Sequence, residues 1–231
     1  ECLSGVPGRV GATPIQNVGA YGQEIAEPLL RLEALDLASG RRAPVSRDEC
    51  GFAYRTSRFK QADRNRYVLL SARFRLRAQD PPSVRYLELA TFLSAQGIEH
   101  PTLGDVRQAV LALRRRKSMV FHPGDPESRS VGSFFTNPIV EAAQASAIEA
   151  QLRQAGVLTE DDRMPSFPAP DGRSKLSAAW LIERAGFPKG YAWGGVGIST
   201  RHALALVNRG GGTAREIVEL ARRIRHGVHE S

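Results

Sequence analysis

Cysteine is scarce: Cys2 and Cys50 are the only two in 231 residues. No C-x-x-C spacing and no histidine pair at metal-ligand spacing accompanies them, so neither a disulfide framework nor a zinc site is expected. Two reduced thiols fit a cytoplasmic protein. Long apolar runs are missing as well. The longest, such as Ala203 to Val207, fall far short of the roughly 20 residues of a membrane-spanning helix. No repeat of fixed period and no low-complexity stretch occurs. Aromatic residues make up only 7%, and no recognition helix or base-stacking motif is present. That weighs against nucleic acid, although 32 Lys and Arg against 24 Asp and Glu leave a net charge of +8 that would suit a polyanion.

What is present is ordinary for a globular chain: 42% hydrophobic and 24% charged residues, enough apolar surface to offset the entropy of ordering and to exclude a disordered chain. The length fits one large domain or two small ones. The chain opens on Glu1, and Cys2 to Gly8 already reads as a working loop, so the expectation is a piece of a longer protein.

The segment Gly5 to Gly22 holds five glycines and two prolines. Such a composition predicts no regular helix but a shaped loop presenting backbone N–H groups, either as a turn-rich connection or as a cradle for a ligand. It is not a G-x-G-x-x-G dinucleotide fingerprint. Alternation predicts a half-buried strand over Leu29 to Leu37, with Leu30, Leu32 and Ala34 on one face. A second strand is expected from Tyr67 to Leu76, with Val68, Leu70, Ala72, Phe74 and Leu76 inward. Between them, Cys50 to Lys60 is dense in aromatic and basic side chains and has no clean period.

A helix is expected after Thr102 or Asp105, burying Val106, Ala109, Val110 and Leu113 and ending in Arg114, Arg115, Arg116 and Lys117. Those cations either complement the helix dipole on a solvated face or meet a phosphate. The Pro- and Gly-bearing loop to Ser130 marks a domain boundary. Asn137, with Pro138 behind it, is predicted to cap a helix running to about Gln154. Further helices are expected over Leu176 to Ala185 and from a Thr213/Glu216 capping box to near Val228, with a strand at His202 to Asn208.

Five segments in this order carry a likeness: Pro7 to Gly22, containing Pro14-Ile15-Gln16-Asn17-Val18-Gly19-Ala20-Tyr21-Gly22; Tyr54-Arg55-Thr56-Ser57-Arg58-Phe59-Lys60; Gly132-Ser133-Phe134-Phe135-Thr136-Asn137-Pro138; Lys175 to Glu183; and Arg201 to Asn208. Together they resemble the UDP-N-acetylenolpyruvoylglucosamine reductase family, flavoenzymes of bacterial cell-wall synthesis. The resemblance implies an α+β fold. Residues 1–118 would be the second part of an FAD-binding domain, and residues 119–231 a smaller α/β substrate-binding domain. It also implies an oxidoreductase in which NADPH reduces FAD and the flavin then reduces an enolpyruvyl ether of a UDP-sugar, in a cytoplasmic monomer without nucleic-acid or membrane partners.

By the same resemblance, Arg55 matches the arginine beside the substrate carboxylate, where charge builds on two oxygens that a planar fork can meet together. Ser133 matches the serine that donates the proton. Val6, Pro7, Gly8, Gly11, Ile15 and Gly19 match the FAD-binding loop, although Ala12-Thr13 stands where the family often has glycine or serine pairs. On the substrate side the matches are Tyr21, Tyr86, Lys117 and Asn137. Tyr86 is read either as a tyrosine on a loop that closes over substrate or as an ordinary strand aromatic. Lys117 has about four more residues between it and Ser133 than the family pattern. The family's third catalytic group, a glutamate in a C-terminal strand, is expected beyond Ser231, with Glu230 in a linker after the last helix and not in that role. The remaining flavin contacts are expected before Glu1. Another FAD enzyme with the same flavin-domain architecture and a different substrate is the alternative.

Overall fold

The glycine-rich opening folds, in a computed structural model that describes Glu1–Ser231, around a short 3-10 helix, Val10–Gln16. The expectation of no regular helix therefore needs correction. Pro14 lies inside it, yet the three-residue period leaves bonded turns on either side: Ala12 N–H donates to Arg9 O at 3.0 Å and Val18 N–H to Thr13 O at 3.1 Å. Asn17, at φ +46°, ends the helix. Strands β1 (Gly19–Ala20) and β2 (Gln23–Glu24) then pair antiparallel. Tyr21 and Gly22 turn between them at φ +49° and +81°, the two positive values that a tight hairpin of the right twist requires.

Strand β3 (Leu29–Asp36) is the centre of an antiparallel sheet, flanked by β4 (Arg42–Ser46) and β5 (Tyr67–Phe74). The expected faces are only half right. Leu29, Leu32 and Ala34 are buried, whereas Leu30 is 37% exposed. On β5, Val68 and Leu70 face solvent and Leu76 lies beyond the strand, while Tyr67, Leu69, Ala72 and Phe74 pack on the core. A register shift explains both. Glu33 opposes Ser71 but Ala34 opposes Leu69, so Leu70 is an extra residue on β5 that reverses its alternation, and a second shift falls between Leu29 and Arg31.

Two helices follow, α1 (Leu87–Ala95) and α2 (Leu103–Arg116), which bury Leu89, Leu93, Val106, Ala109, Val110 and Leu113 around Cys2. The basic end of α2 is not uniformly solvated. Arg114 is only 5% exposed, and its Nη2 donates to Gly5 O at 3.3 Å. Burial pulls that guanidinium below its ordinary pKa. Arg116 lies over the Phe92 ring at 4.8 Å.

Glu1–Arg116 and Lys117–Ser231 form two compact units. In the second, strand β6 (Ser130–Ser133) is followed by β7 (Ile139–Val140), α3 (Ala142–Gln154), β8 (Ser166–Pro168), β9 (Ser174–Leu176) and α4 (Ala178–Arg184). Then come β10 (Ala192–Trp193), β11 (Val196–Ile198), β12 (Ala205–Asn208) and α5 (Ala214–Glu230). One antiparallel sheet has the order β10-β11-β12-β6, another β7-β9-β8. Leu220 and Ile224 of α5 are fully buried against Val196, Ile198 and Leu206 of the first sheet and Ile182 of α4. The Thr213/Glu216 capping box starts α5 as its sequence predicts.

Three local expectations change. Asn137 does not cap the helix that follows it; α3 begins at Ala142, after the short β7. Leu176 belongs to β9, and α4 begins two residues later with Ser177 as its cap. Glu230 is the last residue of α5, not a linker residue. No helix is long and apolar enough to cross a membrane.

Candidate active site

In the first unit, Arg55 and the end of the opening loop meet around one guanidinium. The turn after Gln16 and the bend at Arg55, both at positive φ, bring the opening loop and the Tyr54–Lys60 segment together. Ser57, 1% exposed, ties them by donating its hydroxyl to Ile15 O at 2.7 Å. Arg55 Nη1 donates to Glu24 Oε1 at 3.1 Å and to Asn17 O at 3.4 Å, and Nη2 donates to Gly19 O at 2.6 Å. Asn17 in turn donates Nδ2 to Glu24 Oε2 at 2.6 Å and to Ala53 O at 3.1 Å, while its Oδ1 accepts from Ala26 N at 3.1 Å. Arg55 also lies over the Tyr54 ring at 4.9 Å.

The result is a cation whose position is set by a carboxylate and two carbonyls. Arg55 and Glu24 remain 24% and 34% exposed, so the cluster is open to a ligand. Of the five N–H donors of a guanidinium, three are engaged by these acceptors, leaving Nε–H and one Nη2–H as a two-pronged fork.

Gly19 is required by this packing. A Cβ there would stand 2.8 Å from Arg55 Nη1, 2.8 Å from Glu24 Cγ and 2.9 Å from Gln23 O. Gly19→Ala is expected to lower stability by ~1–3 kcal/mol through overpacking. At Gly11 a Cβ would meet only Leu69 O at 3.9 Å, and Gly11→Ala is expected to change stability by less than ~0.5 kcal/mol. Denaturant midpoints of the two variants check the contrast.

Of the other residues in the opening loop, Pro7 and Gly8 are exposed, Val6 and Gly11 partly buried. Gly8 has φ +114°, and nothing lies within 4 Å of where its Cβ would be. That is space in which a ligand can approach the bare backbone. Tyr21 and Tyr86 are brought together edge to face, with ring centroids 5.6 Å apart. Burial pushes the Tyr21 hydroxyl up to about 12 and raises that of Tyr86. Tyr86 is neither strand nor mid-loop; it is the residue immediately before α1. Arg85 beside it pairs with Glu27 at 3.0 Å and donates to Gly22 O at 3.3 Å, pinning the segment to the hairpin turn.

In the second unit, Ser133 ends β6 and is exposed. Its Oγ is 2.9 Å from His202 Nε2. β6 meets β12 with Ser133 opposite Ala205, and Phe134 N–H donates to Leu204 O at 2.7 Å, so the serine is held against the turn that carries His202. That turn is fastened on its other side. Thr200 N–H donates to Glu127 Oε2 at 2.7 Å, and Arg201 Nη1 to Ser118 Oγ at 2.8 Å. Asp125 accepts from Ser118 Oγ at 2.6 Å, a bond that holds its carboxyl below the usual carboxylate range. Lys117 is the partly buried residue leading into this network. Asn137 accepts at Oδ1 from Ala178 N at 3.0 Å, capping α4 from a distance, and its Nδ2 is the part left to meet a ligand.

His202, Glu24 and Asn17 were not among the residues marked by sequence. Asn17 sits within a quoted motif, Glu24 two residues past its end, and His202 is separated from Ser133 by 69 residues, with no periodicity linking them.

A family model described as the UDP-N-acetylenolpyruvoylglucosamine reductase C-terminal domain matches residues 125–231. The UDP-N-acetylenolpyruvoylglucosamine reductase of Thermobifida fusca is 54% identical over 229 residues, 99% of this chain and 63% of that protein. Relatives of the same name from Saccharopolyspora erythraea and Mycobacterium tuberculosis are 50% and 47% identical, across 99% and 100% of this chain and 62% and 63% of their own lengths. The chain thus spans less than two thirds of these relatives. The crystal structure of UDP-N-acetylenolpyruvylglucosamine reductase from Thermus caldophilus superposes with a TM-score of 0.55 at 23% identity, over 97% of this chain and 59% of that one, a likeness of fold consistent with the α+β architecture. Residues 125–231 thus match the C-terminal domain of this reductase family, and the chain along its whole length is similar to proteins that carry the UDP-N-acetylenolpyruvoylglucosamine reductase name.

Proposed function

We propose that the protein reduces UDP-N-acetylglucosamine enolpyruvate to UDP-N-acetylmuramate, drawing on FAD and NADPH, in the cytoplasm and as a monomer. What carries the reading is the match, across 99% of this chain, to a relative named for that reductase activity. The geometry supports it: an anchored guanidinium fork and an exposed serine hydroxyl are the two groups that a reaction building an enolate beside a carboxylate needs from protein.

Residues 1–118 would contribute to the FAD site and residues 119–231 to the substrate site. Val6, Pro7, Gly8, Gly11, Ile15 and Gly19 would hold the cofactor, and the open space over Gly8 fits a phosphate lying against bare backbone. FAD, when bound, supplies the hydride that NADPH replenishes. Arg55 binds the substrate carboxylate through its free fork and stabilises the charge that grows there. Ser133 delivers the proton to the carbon next to that carboxylate. Tyr21, Tyr86, Lys117 and Asn137 orient the rest of the substrate.

The test is optical. Full-length protein is expected to carry the flavin band, to bleach with NADPH and to recover colour with the enolpyruvyl substrate under anaerobic conditions. Colourless folded protein overturns the reading. Bleaching without recovery assigns the protein to another flavoenzyme with a different substrate.

A further inference from the structure

Serine is a weak acid, and once it has delivered its proton its oxygen is an alkoxide. A serine used this way needs a donor that fixes the direction of its O–H and meets the negative charge as it forms. His202 Nε2 stands 2.9 Å from Ser133 Oγ. We propose that His202 is a positioning residue for proton delivery, donating Nε2–H to Ser133 Oγ; the inference rests on the proposed reductase function.

The direction of this hydrogen bond follows from what Ser133 must do. If Nε2 accepted, the serine proton would point at the imidazole and away from any substrate. With the proton on Nε2, the imidazole donates, Oγ uses one lone pair to accept, and the serine O–H is turned outward. In the proton step the Ser133 O–H bond breaks as a C–H bond forms on the carbon next to the carboxylate. The developing oxyanion keeps the imidazole N–H bond and regains its proton from water, which reaches the exposed Ser133. The step involves no oxidant or reductant: the carbanion's electron pair forms the C–H bond and the O–H pair stays on the serine oxygen, while the hydride at the other carbon would be supplied by the flavin.

The backbone around His202 has the rigidity such a role demands. His202 O accepts from Ala205 N at 3.0 Å, and Ser199 N–H donates to Ala205 O at 2.9 Å, closing the β11–β12 turn. Ser199, 1% exposed, accepts at Oγ from Arg201 N at 3.2 Å. The neighbours on the N-terminal side are committed elsewhere, Thr200 to Glu127 and Arg201 to Ser118 and Asp125. The turn therefore presents the imidazole to β6 while its charged flanks are tied to the 118–127 segment.

The experiment uses the flavin-loaded holoenzyme and separates the two half-reactions by stopped flow. His202→Ala is expected to leave flavin reduction by NADPH unchanged and to slow reoxidation by the enolpyruvyl substrate by roughly 10- to 100-fold, the range of one hydrogen bond to a charged group. His202→Gln, whose amide can donate at a similar reach, is expected to recover most of that loss. In a Ser133→Ala background, His202→Ala should cost nothing further, because it acts only through the missing hydroxyl. Substrate affinity, read by titration of the oxidised flavin's absorbance, should stay within about twofold. Unchanged reoxidation in His202→Ala, a His202→Gln variant as slow as His202→Ala, or a full additional loss in the double variant each overturns the inference. Wild-type enzyme that the substrate cannot reoxidise overturns the reductase function instead.

Discussion

Ser133→Ala is expected to slow reoxidation of the reduced flavin by the enolpyruvyl substrate by about 10²- to 10⁴-fold, the usual worth of a positioned general acid, with flavin reduction by NADPH untouched. The substitution is clean in structural terms. It keeps the Cβ, leaves the backbone pairing of Ser133 with Ala205 intact, and removes a hydroxyl from an exposed position. The one side-chain bond it deletes is that to His202, so the thermal midpoint should scarcely move. A loss confined to the second half-reaction is the signature of proton delivery. Equal losses in both halves would mean a disturbed site, and no loss would take Ser133 out of the chemistry.

How much of this was legible beforehand depends on whether the signal was local. The capping box of α5 and the core of α2 are written in adjacent residues and were read from them. The faces of β3 and β5 were not, because a single extra residue, Leu70, reverses the alternation, and only the register against β3 reveals it. A strand that reads as Val68, Leu70, Ala72 inward in fact packs Tyr67 and Leu69 against the core before the bulge and Ala72 and Phe74 after it. The helix α1 was missed for a different reason: Leu87–Ala95 is short and starts with no side-chain cap.

The site shows the same division. Motif residues such as Arg55 and Ser133 stand out because their neighbours in sequence carry the likeness. Their partners are long-range and leave no spacing to read. Asn137 caps α4 from 41 residues away in place of the nearer α3. Asn17 and Glu24 form the clamp on Arg55 from across 38 and 31 residues. His202 lay inside a segment that was read as a strand and quoted for its likeness without the histidine being singled out, whereas β12 begins at Ala205 and the histidine occupies the turn before it. A polar residue at a strand edge has no sequence signature that tells it apart from any other turn residue.

Arg55→Lys tests whether that clamp serves the chemistry. In the native protein three N–H groups of Arg55 go to Glu24, Asn17 and Gly19, and two remain for a carboxylate. Lysine has three donors in all. Held by the same carboxylate and carbonyls it would have none left, and drawn to the substrate it would leave Glu24 uncompensated beside a growing negative charge. Glu24 itself stays in place, because Asn17 holds its other oxygen at 2.6 Å. The expected result is reoxidation of the flavin slowed by roughly 10- to 100-fold or more, from the loss of at least one charge-assisted hydrogen bond worth about 1.5–3 kcal/mol. Flavin reduction by NADPH should keep its wild-type rate. Lysine also keeps the positive charge, so a full recovery of rate would show that charge alone suffices and that the planar fork has no part in stabilising the enolate. A loss in both half-reactions would instead place Arg55 as a strut between β1, β2 and the opening loop, since its guanidinium also closes the hairpin onto Asn17.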